Sequence, residues 1–311
     1  MAHIPVLLNE VLKYLDPKPN QNFIDCTIGG GGHAFKILAR TKPNGKLLGI
    51  DLWEEVIRDL RFKIEDQSTQ EDLSARPSIK DILCSGLRLD ERLILVCDNF
   101  ANLTGIVKEY NFSPVHGILL DLGLSSDLLE KSGRGFSFQK DEPLDMRLNS
   151  EKQILTAEEI LNQWPGDKLI EIFKKFGEER FSKLIARKVL ESRKKEKIQS
   201  TFQLVNLIKS ALGGKFHKKS LARIFQALRI AVNNELENLE KALVQAPQIL
   251  APGGKIVTIS YHSLEDRIVK NFFKKEERLK IITKKPVRPT EEEIKANPRS
   301  RSAKLRIAVY E

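Results

Sequence analysis

The sequence predicts an α/β chain: a doubly wound, mostly parallel sheet with a helical domain inserted between its fourth and fifth main strands. Three observations carry that reading. Short apolar strands alternate with amphipathic helices through the first 124 residues. A run of four glycines joins the first strand to the helix after it. From 151 to about 222 the pattern is helical and rich in Lys and Arg, with no further strand signal until Ile256. The predicted organisation is a discontinuous sheet domain, 1–124 with 223–311, and an inserted helical domain, 125–222.

Each element has its own signal. Leu7, Leu8, Val11, Leu12 and Leu15 recur at helical spacing, and the helix must stop before Pro17 and Pro19. Asn22–Ile28 reads as a strand that runs into Gly29-Gly30-Gly31-Gly32-His33-Ala34, with Phe35, Ile37 and Leu38 opening the next helix. Asn44-Gly45 marks a turn before a second strand, Lys46–Asp51, which completes a βαβ unit. The charged stretch 66–90 has no clear period and reads as an insertion. Leu93–Cys97 is a third strand, and Val115–Gly123 a fourth, apolar enough for burial on both faces. Residues 125–150 are rich in Ser, Gly and Asp, as expected of an ordered functional loop. Residues 224–247 form a long amphipathic helix, Ala251–Gly254 a turn, Lys255–Ser260 the fifth strand and Ala303–Val309 a last one.

Composition sets the outer limits. With 311 residues, 41% of them hydrophobic, the chain supports a sizeable core and is neither disordered, fibrous nor a small disulfide scaffold. Cys26, Cys84 and Cys97 are odd in number and widely spaced, which predicts a reducing, cytoplasmic setting without a disulfide framework or a paired-cysteine zinc site. No metal centre is expected. No apolar run approaches the roughly 20 residues of a bilayer span. The net charge of +10 is unevenly placed: residues 182–223 carry a surplus of ten positive charges and residues 267–311 a surplus of eight, which leaves the remainder at −8. Two clustered blocks of Lys and Arg on an otherwise acidic protein suggest a polyanionic partner.

The glycine turn is the first candidate site, because backbone without Cβ atoms can approach a ligand and a helix N-terminus presents free N–H groups. Gly29, Gly31 and Ala34 fit G-x-G-x-x-A, and Asp51 stands at the next strand's end, where it would bind a ribose diol. That pattern admits either a nicotinamide dinucleotide or S-adenosylmethionine; no Walker lysine follows. Asp121 ends the fourth strand at the ligand-binding edge of such a sheet, or else caps the following turn. Ser260–Arg267 follows the fifth strand; there Ser263 is positioned to N-cap the next helix with Asp266 in support, whereas Tyr261 and His262 cap nothing obvious.

Taken in order, these segments resemble the bacterial 16S ribosomal RNA cytosine-N4 methyltransferases of the MraW/RsmH type. The resemblance lies in His3–Leu8, Gly31-Gly32-His33, Asp121-Leu122-Gly123 with Ser125-Ser126, Arg134–Ser137 and Pro143–Arg147. It continues through Phe176–Arg180, Phe225–Arg229, Asn233–Leu236, His262–Arg267 and Asn297–Ala303, and so spans nearly the whole chain. It implies a Rossmann-like class I sheet that uses S-adenosylmethionine to methylate the exocyclic amine of a cytidine in the decoding centre. The implied partner is 16S rRNA or the small ribosomal subunit, the oligomeric state being left open between monomer and dimer. Gly31, Gly32 and His33 are then expected on the methionine side of the cofactor, Asp51 at the ribose, Phe100 by the adenine and Asp121 near the reacting end. The family commonly has Gln where this chain has Leu128, a position otherwise assigned to the cofactor, and a second acid where it has Trp53.

Within that implication Asp121, or a carbonyl of the 121–126 loop that includes Ser125, accepts the amine hydrogens. His262 or Ser263 orients the base, and Phe136 or Tyr261 stacks on it. Arg147, Lys194, Lys195, Lys218, Lys219, Arg299 and Arg301 are the expected RNA contacts. Two rivals share part of the pattern. A nicotinamide-dependent oxidoreductase would use the glycine turn but not the basic blocks, and a non-catalytic RNA-binding assembly factor would use the blocks but not the turn.

Overall fold

The structure is a computed structural model that describes residues 5–68, 88–89, 92–124, 128–129, 132–213 and 218–311, with backbone only for 63–68 and 88–89. Most of the 66–90 stretch, Ser125 and Cys84 therefore lie outside the described residues. The chain divides into two compact units, Met1–Gly123 with Leu236–Glu311, and Leu124–Glu235.

The first unit holds the sheet. Its strands are β1 (Phe23–Asp25), β2 (Leu47–Asp51), β3 (Arg88–Leu89), β4 (Leu93–Cys97), β5 (Val115–Asp121), β6 (Leu250–Ser260), β7 (Leu279–Ile281) and β8 (Lys304–Tyr310). They lie in the order β3-β4-β2-β1-β5-β6-β8-β7. The five central strands are parallel, while β3, β8 and β7 pair antiparallel at the two margins. From β1 the chain winds outward through β2 to β4, then returns to the other side of β1 for β5 and β6. Strand order thus reverses between β1 and β5, and such a reversal opens a crevice at the carboxyl ends of the strands.

Both sheet faces are covered by helices. Ile24, Leu48, Ile50, Ile118 and Leu120 point into a core closed by Leu103 and Ile106 of α4 (Leu103–Glu109), Leu239 and Leu243 of α10 (Glu235–Ile249), and Val269 and Phe273 of α11 (Ser263–Lys275). Side chains alternate along a strand, so Gly117 faces the opposite side, where a Cβ would meet Leu15 of α1 (Leu8–Leu15). Helices α2 (Gly32–Arg40) and α3 (Glu54–Ser68) complete the winding, and α12 (Glu291–Ala296) precedes β8. The predicted turn at 251–254 is a loop within β6: pairing with β5 passes from Leu250 directly to Lys255. Among the described residues no helix is long and apolar enough to cross a membrane.

The second unit is helical: α5 (Ala157–Gln163), α6 (Gly166–Lys175), α7 (Ser182–Arg193), α8 (Thr201–Ala211) and α9 (Lys218–Asn233). Thr156 and Ser200 open α5 and α8 with reciprocal capping boxes to Glu159 and Gln203. The helix expected over 224–247 is broken at Asn234, whose φ of 51° ends α9 before α10 begins. Asn233 anchors that break inside the second unit, its amide donating to the Met146 carbonyl and its Oδ1 accepting the Leu148 N–H. The second unit therefore ends after Glu235 rather than at 222.

Candidate active site

The carboxyl edge of the first unit gathers three acids, one from each of β1, β2 and β5. After β1 the chain turns through Thr27–Gly31, with Gly29 at φ 49° and Gly31 at φ 80°, a region costly to side chains bearing Cβ. A Cβ on Gly31 would strike the Phe35 ring, and one on Gly32 would strike Pro5. The turn is therefore held open as bare backbone at the start of α2.

Asp51, at the end of β2, clamps this turn. Its Oδ2 accepts the Gly29 N–H at 2.9 Å and its Oδ1 accepts the Trp53 N–H at 2.9 Å. Burial pushes its carboxyl above the usual range against these hydrogen bonds. Each oxygen keeps acceptor capacity, as a diol requires. Trp53 is buried, and its indole N–H meets no acceptor among the described residues. The Asp98 N–H donates to the Asp51 carbonyl, and Asn99 caps the short 3-10 turn Phe100–Asn102 through the Ala101 N–H. Phe100 is thereby set beside the end of β4, packed against the core.

Asp121 is positioned from three sides. Its N–H donates to Thr27 Oγ1 at 2.7 Å, Tyr261 Oη donates to its Oδ1 at 2.8 Å, and His33 Nδ1 lies 3.8 Å from its Oδ2. His33 Nε2 is 2.9 Å from the Val6 carbonyl, which can only accept, so Nε2 carries the hydrogen. Burial, followed by the Asp121 charge, raises the Tyr261 phenol well above its ordinary range and keeps it a donor.

Sequence reasoning missed the third acid. Asp25 is 1% exposed, and burial pushes its carboxyl up to about 7, with the charges of Asp121 and Asp51 adding to the shift. The signal for it is an acid ending a buried strand directly before the glycine turn. Thr27, which links Asp25 to Asp121 through its N–H and hydroxyl, was missed with it.

Several expected contacts are engaged elsewhere. His262, not Ser263, is the N-cap of α11: it accepts the Glu265 N–H while Glu265 accepts the His262 and Tyr261 N–H groups. Ser263 is the helix's first residue. Asp266 takes no part in the cap; it pairs with Lys304 and Arg306 of β8 at 3.2 and 2.7 Å. Leu128 falls in the second unit and is buried, 2% exposed. Phe136 is buried in the same unit. The Arg147 guanidinium is occupied locally, with Nε and Nη2 on Asp145 at 2.7 Å each and Nη1 on the carbonyls of Ser150 and Gln153. In contrast Lys194, Lys195, Lys218, Lys219, Arg299 and Arg301 are all exposed.

The arrangement suits a small cofactor of particular chemistry. Bare glycine backbone admits close approach, Asp51 offers acceptors for a diol, and three carboxyl groups favour a ligand bearing positive charge, as a sulfonium and an ammonium do. Comparison with known proteins agrees. Residues 1–310 match the model of the MraW methylase family. The chain is 43% identical over 326 residues to the ribosomal RNA small subunit methyltransferase H of Dehalococcoides mccartyi strain BAV1, covering 98% of this chain and 86% of that one. It is 40% identical to the proteins of the same name from Heliobacterium mobile and from Clostridium botulinum strain Loch Maree, covering 98% of this chain and 98% and 97% of theirs. The chain belongs to the MraW methylase family, and it is an S-adenosylmethionine-dependent methyltransferase.

Proposed function

We propose that this enzyme methylates the N4 amine of a cytidine in the decoding centre of 16S rRNA. The names of its relatives support a small-subunit rRNA substrate, and the Asp121 carboxylate, held by Tyr261 and faced by His33, supports an amine as acceptor. S-adenosylmethionine, when bound, supplies an electrophilic methyl group. Gly31, Gly32 and His33 would hold its methionine side, Asp51 its ribose, and Phe100 its adenine.

The amine of cytosine is a poor nucleophile because its lone pair is delocalised into the ring, and it must shed a proton during or after transfer. The protein's task is therefore to align the amine and accept its hydrogens. Asp121 is suited to both. Thr27 holds the Asp121 backbone N–H and Tyr261 holds one carboxylate oxygen, and an acceptor so fixed draws electron density toward N4 by hydrogen bonding to N4–H. A carbonyl of the 121–126 loop is the other acceptor on the same stretch. His262, engaged in its cap, shapes this edge by fixing the Tyr261 backbone through Glu265.

The exposed lysines of the second unit, with Arg299 and Arg301 in the first, supply the phosphate contacts that an rRNA substrate needs. The deciding experiment is transfer of labelled methyl groups to 30S subunits and to naked 16S rRNA, with mass-spectrometric mapping of the product. A single N4-methylcytidine in the decoding centre is expected. Methylation of another base or atom would overturn the assignment, and RNA affinity independent of salt would overturn the electrostatic docking.

A further inference from the structure

Two sequence strings that the cofactor site does not use meet within the second unit. Phe176-Gly177-Glu178-Glu179-Arg180 follows α6, and Phe225-Gln226-Ala227-Leu228-Arg229 lies on α9. Gly177 permits the meeting: a Cβ there would stand 2.7 Å from the carbonyl oxygens of both Phe173 and Arg223, so the turn lies backbone to backbone against α9. Gln226 Nε2 closes the contact on the Phe176 carbonyl at 2.8 Å. Glu178, at φ 49°, reverses the chain. Glu179 is buried beneath the turn, its Oε1 accepting the Phe181 N–H and its Oε2 3.7 Å from Arg223 Nη1.

This framework borders a solvent-open pocket of about 520 Å³ lined by Arg180, Phe181, Lys218, Lys219, Ser220 and Arg223, with Glu178 as the acid of the lining. Four cations against the lining acid Glu178 and the buried Glu179 that faces Arg223 leave a positive surplus that favours an anion. The volume is of the size that holds a small organic ligand, well beyond a lone phosphate. The Arg180 guanidinium lies over the Phe181 ring, 5.2 Å from its centroid, so a cation and an aromatic ring, both groups on which nucleobases stack, stand together in the lining.

We propose that this cavity binds one unstacked nucleotide of the substrate RNA, its phosphate on Lys218, Lys219 and Arg223 and its base against the Arg180–Phe181 pair. The inference rests on the RNA methyltransferase reading and adds to it a stacking contact that charge alone would not supply. The lining comes wholly from the second unit and includes none of the residues at the Asp121 edge.

The test uses the full chain, a 16S rRNA fragment that it methylates, and RNA affinity measured across a salt series. Lys218→Ala/Lys219→Ala is expected to reduce the salt slope by about two, one for each lysine that no longer neutralises a phosphate. Phe181→Leu is expected to weaken RNA binding about tenfold at every salt concentration, with the slope and S-adenosylmethionine affinity unchanged. Phe181→Tyr, which keeps the ring, should restore binding. If Phe181→Leu binds as the parent does, or if Phe181→Tyr is as weak as Phe181→Leu, the cavity is not a stacking site even where methyl transfer is intact. Absence of RNA methylation by the parent itself would instead sink the underlying reading.

Discussion

The Tyr261 hydroxyl donates to Asp121 Oδ1 at 2.8 Å and joins the ends of the neighbouring parallel strands β5 and β6. The phenol is held protonated by burial and by the carboxylate beside it. Its effect is to fix one oxygen of Asp121 so that the other orientation of the group is not sampled. Tyr261→Phe should therefore lower kcat about tenfold, the effect of one lost hydrogen bond, and leave S-adenosylmethionine affinity nearly unchanged. Asp121→Ala should abolish turnover with the cofactor still bound. Steady-state rates with 30S substrate and calorimetric titration of the cofactor separate the two effects; near-normal turnover by Asp121→Ala would remove this residue from the mechanism.

Asp51 has a different task, because its carboxylate holds the glycine turn as well as offering acceptors to a ribose. Asp51→Ala leaves the Gly29 and Trp53 N–H groups without their partner. Cofactor affinity should fall by about ten- to a hundredfold, the range expected for losing charge-assisted hydrogen bonds of about 1.5–3 kcal/mol. Isothermal titration of the cofactor measures this directly. An unchanged dissociation constant would show that the turn is held by its own backbone.

The Asp25 carboxyl gives stability a pH dependence of unusual sign for an acid. Burial raises it from 3.8 to about 7, so the folded chain binds this proton more tightly than the unfolded chain. Its contribution is most favourable below about pH 4, declines between pH 4 and 7, and is constant above that window. The full decline amounts to roughly 4 kcal/mol by the standard conversion. Asp25→Asn, which cannot ionise, should melt at a higher temperature than the parent at pH 8, and the difference should shrink toward pH 4. Melting curves across this range decide it; a parallel pH dependence in parent and variant would show that Asp25 ionises freely.

Much of this edge could be read in the sequence because its residues sit at strand ends in an order that the backbone imposes. Gly31, Asp51 and Asp121 each end or follow a buried apolar run, and the parallel winding brings such ends to one edge. What could not be read depended on contacts between distant segments. The cap at His262 is one residue earlier than Ser263 because Glu265, rather than Asp266, has its carboxylate free; Asp266 is held by Lys304 and Arg306, some 40 positions along the chain. Helical periodicity runs unbroken through Asn234, so nothing local announced that Asn233 would be tied to Met146 and end α9 there. The short margin strands β3 and β7 give two or three residues of pattern, too few to stand out.

Gly123 provides a steric test of the Tyr261–Asp121 relationship. Its backbone lies outside the left-handed region, yet a Cβ there would stand 2.5 Å from Tyr261 Cε2. Gly123→Ala should therefore act by displacing the ring, withdrawing the hydroxyl from Asp121 without altering either residue. In the parent it should lower kcat about as much as Tyr261→Phe does, by roughly tenfold. In a Tyr261→Ala background the ring is gone and the added methyl group has nothing to displace, so Gly123→Ala should change kcat less than about twofold. Residues that act through one contact show such non-additivity, whereas independent sites add. If the two substitutions multiply instead, Gly123 serves the loop that follows it, and Tyr261 is positioned by other means.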